Sequence, residues 1–238
     1  MFGINYEYLN KQNGAVVVFL HGWGLNGNSF DKIISKLNDV SIVKFDLHGF
    51  GNSKAPKDYF DTYEYAYQIF LCLKKLKVNK VVFVGHSFGG RLSILLSSVF
   101  KIDVVGCVLI SSAGINRFEF CKWFKIRLYK MLKKLCSLGI VSNKYLLKFG
   151  SRDFSNANSI LRKILVRVVN QDLRFFAKQI SCKTVLVWDK KDKDTKLYIC
   201  KKLHRYIKLS NIFYTKNGGH FTLFYNTNKI SYYIKLLT

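Results

Sequence analysis

A chain of 238 residues that is 49% hydrophobic can bury one large core, as a single domain or a domain with an insertion, which excludes a disordered chain and a mini-protein. Its 39 Lys and Arg against 14 Asp and Glu give +25, but the basic residues run along the whole length beside a single proline, Pro56. That spread reads as compositional bias rather than as a nucleic-acid face.

The opening MFGINYEYLN lacks the basic-then-apolar order of a leader, and no stretch reaches about eighteen uncharged apolar residues. The expectation is a soluble, cytoplasmic protein. Cys72, Cys107, Cys121, Cys136, Cys182 and Cys200 have no CxxC spacing, so reduced thiols are expected, with neither disulfides nor zinc. Nothing in the sequence asks for a metal or a cofactor.

In chain order, residues 4–9 alternate weakly and predict an antiparallel edge strand. Ala15–Leu20, Ser41–Asp46, Val81–Gly85, Val104–Ile110, Thr184–Trp188 and Ile212–Tyr214 are continuous apolar runs, the pattern of parallel strands buried on both faces. Between them, Tyr63–Leu76 predicts a helix with an apolar face at 63, 67, 70 and 71, and Arg91–Phe100 predicts another. Alternating strands and helices give an α/β fold, a doubly wound and mostly parallel sheet.

The alternation breaks from Gly114 to Ile180, where several helices follow one another. The expected organisation is a core of residues 1–114 and 181–238 with a helical cap at 115–180. Within it, residues 116–135 interleave Arg and Lys with Phe118, Phe120, Trp123 and Phe124. A basic amphipathic helix of that kind can touch an anionic membrane transiently; the favoured reading is a lid helix turned toward the site, with Trp123 a candidate substrate contact.

The chemistry centres on Gly85-His86-Ser87-Phe88-Gly89, a G-x-S-x-G turn between a strand and an apolar helix. A serine there sits on a sharp, strained turn, so its neighbours must be small. It needs a base, and the base an orienting acid, in the order Ser, Asp or Glu, His. His220, after Asn217-Gly218-Gly219, is the histidine that follows the last strand-like run. Asp192 is the chosen acid; Asp189 reads as a turn cap and Asp194 as an N-cap for a helix near Thr195, and both stay open as alternatives. An oxyanion needs backbone donors: Phe88 after the nucleophile, and Trp23 in His21-Gly22-Trp23-Gly24 after an earlier strand.

From about residue 4 onward the chain resembles the α/β-hydrolase superfamily. HGWG is similar to its oxyanion loop, DLHGFGNS (46–53) to its D-x-x-G-x-G-x-S turn, GHSFGG to its elbow, WDKKDKDT to its acid loop and GGH to its base. The resemblance implies the same triad, a cap inserted late in the sheet and an abbreviated first edge strand. It departs at Asp189, where glycine is common in the family, and at Lys196, where proline often follows.

Three functions follow. The leading one is a serine hydrolase acting on an ester or related acyl substrate. Arg91 resembles the arginine of family members that make 2-succinyl-6-hydroxy-2,4-cyclohexadiene-1-carboxylate by pyruvate elimination, where it could grip a carboxylate; the plainer reading is a helix-surface arginine. The third is a non-catalytic or membrane-associated binding protein on this scaffold.

Overall fold

The computed structural model describes residues 3–56, 60–115 and 159–238, together with 131, 134–138 and 142. Seven strands form one sheet: β1 (Asn5–Leu9), β2 (Val16–Leu20), β3 (Ser41–Asp46), β4 (Lys80–His86), β5 (Asp103–Ile110), β6 (Lys183–Asp189) and β7 (Ser210–Thr215). Their order is β1-β3-β2-β4-β5-β6-β7. Only β1 is antiparallel, pairing Asn5 with Asp46 and Leu9 with Ile42, so the one expected edge strand is where the alternation predicted it. Every residue of β2 and β3 is buried; β2 is accordingly an unbroken apolar run, while β3 buries Ser41, Lys44 and Asp46 with hydrogen-bond partners for each.

The helices are α1 (Asp31–Ile34), α2 (Thr62–Lys75), α3 (Phe88–Leu96), α4 (Ser159–Asn170), α5 (Arg174–Ala177), α6 (Leu197–Tyr206) and α7 (Thr227–Lys235). Two core layers flank the sheet. Val16, Val18, Leu20 and Phe83 face α2, α3 and α6, and Leu161, Ile164 and Leu165 of α4 and Ala177 of α5 join that layer. Val17, Phe19, Val82 and Val84 face Ile33 of α1 and Ile230 and Ile234 of α7. Because β2 to β7 pair in parallel, these strands all end at one edge, where the loops after β2, β4, β6 and β7 gather.

Two helices differ from expectation. The buried stripe of α2 is Thr62, Tyr65, Ala66, Ile69, Cys72 and Leu73. Tyr63 and Tyr67, expected on the core face, are 46% and 41% exposed and stack outside on Phe100. The stripe at 65, 66, 69 and 73 wins the core because Tyr65 finds an acceptor there, donating its hydroxyl to His48 O at 2.9 Å, while Tyr63 and Tyr67 lie exposed. Helix α3 begins at Phe88, three residues early, because the glycines that read as a turn are packed into the helix start.

In the interval between β5 and β6, α4 and α5 are described; residues 116–130, with Phe118, Phe120, Trp123 and Phe124, lie outside the described residues, as do Phe149 and Phe154. Phe176 packs against the α2/α3 layer, while Phe175 is 68% exposed. Helix α4 is held by its C-terminal end. Gln171 Nε2 donates to Asp61 Oδ2 at 2.9 Å, and the Thr62 amide donates to Gln171 Oε1 at 2.9 Å. Among the described residues, no helix is long and apolar enough to cross a membrane, and the five described cysteines are free thiols.

Candidate active site

Ser87 stands between the end of β4 and the first residue of α3, with φ 49° and ψ −105°, a backbone region that side chains avoid. Its amide donates to Ile110 O of the neighbouring strand at 3.0 Å, and Ala113 donates back to Ser87 O at 3.1 Å. The elbow is thus clamped on both sides to the end of β5. The turn can be this tight because Gly89 passes over the end of β2: a Cβ there would lie 1.8 Å from Leu20 O.

His220 enters from the loop after β7, at the start of a 3₁₀ turn over Gly219–Phe224. Its Nε2 is 3.0 Å from Ser87 Oγ, and its Nδ1 is 3.1 Å from Asp192 Oδ2. Asp192 lies in the loop after β6 with a fully buried side chain. Its Oδ1 accepts from the Asp194 and Thr195 amides, both at 2.9 Å, and its Oδ2 lies 2.8 Å from the Thr195 hydroxyl. Burial works to raise the Asp192 pKa, but the hydrogen bonds from His220 and Thr195 outweigh it and hold the carboxyl below its ordinary value. A carboxylate on Nδ1–H leaves the Nε2 lone pair facing the serine hydroxyl, the tautomer a general base requires.

The two alternative acids have other places. Asp189 Oδ1 accepts from the Lys191 amide at 2.8 Å and its Oδ2 from the Gly219 amide at 2.9 Å, so it ties the acid loop to the loop carrying His220. Asp194 is not an N-cap: α6 starts at Leu197, and its N-cap is Lys196, with no side-chain bond. Asp192, Asp194 and His220 are the metal-capable cluster among the described residues, with ligand atoms within 4.8 Å. A cation there would have to displace the bond between His220 and Asp192.

HGWG follows β2, beside the elbow. His21 Nδ1 donates to Gly22 O at 2.7 Å and its Nε2 accepts from the Leu47 amide at 2.9 Å, which fixes the loop to the end of β3. Burial lowers His21 to about 4 and keeps it neutral for that double role. Among the described residues, neither the Trp23 nor the Phe88 N–H donates to a protein acceptor. The Trp23 ring packs edge-on against Phe50 and Phe88. The DLHGFGNS turn is organised by Asp46, which accepts from Gly27 and Asn52 amides at 2.8 Å and from Asn5 Nδ2 at 3.0 Å. An open cleft of about 560 Å³ runs beside these two loops, lined among others by Gly24, Leu25, Phe50 and Phe224.

Arg91 corrects the helix-surface expectation made for it. It is 3% exposed rather than on a helix surface. Its guanidinium does not stand free for a substrate carboxylate: Nη1 donates to Gln171 O at 2.8 Å and Nη2 to Val169 O at 3.3 Å, at the C-terminal end of α4. A cation there complements the helix dipole. Burial lowers Arg91 to about 10, which leaves it charged at neutral pH. The sequence reading also missed Thr195 and His86 as members of the site; the position of His86 beside the serine was the one available signal.

A parallel sheet with one antiparallel edge, and an elbow at the end of its central strand, is the architecture of the α/β-hydrolase fold. A family model described as alpha/beta hydrolase fold matches residues 15–127. The uncharacterized hydrolase YugF of Bacillus subtilis is 26% identical over 92% of this chain and 88% of its own length. A solved esterase from Exiguobacterium antarcticum superposes with a TM-score of 0.76 at 21% identity, covering 98% of this chain and 94% of that one. Est816, described as an N-acyl homoserine lactone degrading enzyme, gives 0.76 at 20% identity over 99% and 96%. The chain has the α/β-hydrolase fold, is similar to proteins named as hydrolases, and is an enzyme.

Proposed function

We propose that the protein is a serine hydrolase that cleaves an ester or related acyl bond of a small molecule through Ser87, His220 and Asp192. The observation that carries this reading is the unbroken line from Ser87 Oγ to His220 Nε2 at 3.0 Å and from His220 Nδ1 to Asp192 Oδ2 at 3.1 Å. His220 takes the hydroxyl proton as Ser87 Oγ attacks the carbonyl carbon, Asp192 stabilises the imidazolium, and the Trp23 and Phe88 amides receive the oxyanion. His220 returns the proton to the leaving group, and water, activated by the same histidine, releases the acid and frees Ser87.

The esterase and the lactone-degrading enzyme named above support an acyl substrate. The lyase alternative relied on Arg91 reaching a substrate carboxylate, and the commitment of that guanidinium to Val169 and Gln171 favours hydrolysis instead. A fluorophosphonate probe is expected to label the protein at Ser87. Ser87→Ala should abolish labelling and lower esterase turnover by about a thousandfold or more; full activity in that variant would refute the reading.

A further inference from the structure

His86 is the residue before the proposed nucleophile, and the mechanism above gives it no part. It is 1% exposed. Its Nε2 lies 2.9 Å from His220 O, so Nε2 carries the proton and donates it to the backbone of the proposed base, 134 residues away in sequence. The two imidazole rings lie 5.0 Å apart between centroids. Nδ1 is buried with no hydrogen-bond partner. What faces it is Gly22 of the HGWG loop: a Cβ built there would lie 2.6 Å from Nδ1 and 3.0 Å from Cε1. The Cα–H of Gly22 on that side therefore points at the Nδ1 lone pair, a weak contact available only to glycine.

One ring thus touches the loop of Trp23, adjoins Ser87 in the chain and holds the segment of His220. It cannot serve as a second base, since Nδ1 faces carbon and burial, with His220 beside it, lowers its pKa to about 3. We propose that His86 is a positioning residue: its Nε2–H fixes the His220 backbone relative to the elbow, so that the base stays in reach of Ser87. This rests on the triad reading given above. A buried side chain that filled space alone would need neither the donor nor its direction.

Kinetics with p-nitrophenyl butyrate, normalised to sites counted by fluorophosphonate titration, test the proposal without confusing lost activity with lost folding. His86→Leu should lower kcat per site roughly ten- to a hundredfold and leave KM within about twofold. His86→Gln can bring its amide nitrogen to the Nε2 position and should recover kcat to within about threefold of the parent. His86→Asn, whose amide ends near the Nδ1 position, should not. Equal kcat per site in the parent and His86→Leu, or in His86→Gln and His86→Asn, overturns the role; the second comparison stands even if the leucine variant fails to fold. His220→Ala, run alongside, separates the two readings: if it keeps its activity the triad itself fails, and the positioning role with it.

Discussion

Gly89 occupies the least tolerant position of the elbow. The Leu20 oxygen that a methyl group would strike at 1.8 Å is backbone, at the end of a fully buried strand, and cannot swing away as a side chain would. Gly89→Ala should therefore cost roughly 3 kcal/mol, the upper range for overpacking, and lower the melting temperature by about 6–12 °C. A thermal melt within a degree or two of the parent would show that the backbone yields there more easily than its packing implies. At this scale the sequence pointed to those groups of the proposed site that have fixed local surroundings: Ser87 through its glycines, His220 through the loop after the last strand. Asp192 stood among three aspartates because its distinguishing feature, the contact with His220, is made between loops 28 residues apart. Thr195 and His86 were opaque for the same reason. His86 meets His220 O, 134 residues distant, and Thr195 meets Ser111 O, 84 residues distant, besides the nearby Asp192; no local pattern encodes the distant meetings.

Helix α2 illustrates how an element is set by its start. Asp61 accepts from the Tyr63 amide at 2.6 Å and the Glu64 amide at 3.2 Å, while Glu64 Oε2 accepts from the Asp61 amide, a complete capping box. The same carboxylate receives Gln171 from the end of α4, so one residue both begins a core helix and anchors a later one. Asp61→Ala should cost about 1 kcal/mol for the cap and about 1 more for the lost tie to Gln171. Differential scanning calorimetry should register a fall of about 4–8 °C; a fall no larger than that of an exposed alanine control such as Lys75→Ala would remove the dual role. The strands were readable to within a residue or two because two-sided burial keeps most of their positions apolar. The helix faces were less so, since α2 carries two largely apolar stripes and tertiary packing chose the one at 65, 66, 69 and 73.

For the molecule as a whole, the buried histidines set a sensitivity to acid. Burial holds His21 at about 4 and His86 at about 3, against an ordinary 6.5. The unfolded chain binds a proton on each below about 6.5, whereas the folded chain refuses it until much lower pH. Their contribution is therefore complete above about pH 6.5 and is lost as pH falls from there through 4 and then 3, at about 1.4 kcal/mol per pH unit for each. Urea melts between pH 7 and 4 should show that decline, and His86→Gln, which has no proton to gain, should have the shallower slope. An unchanged slope in the variant would mean that His86 titrates freely in the folded protein.

The distance in sequence between Ser87 and His220, 133 residues, gives the enzyme a schedule as well as a geometry. The serine is made with its elbow strand 133 residues before its proposed base, which arrives on the loop after β7. Acid and base are synthesised within 28 residues of one another, late. On the proposed triad, Ser87 is an ordinary alcohol until that last segment has crossed the sheet edge, and a chain that lacks the segment would be chemically silent. Hydrolysis in a translation reaction would then report completion of the fold rather than production of polypeptide.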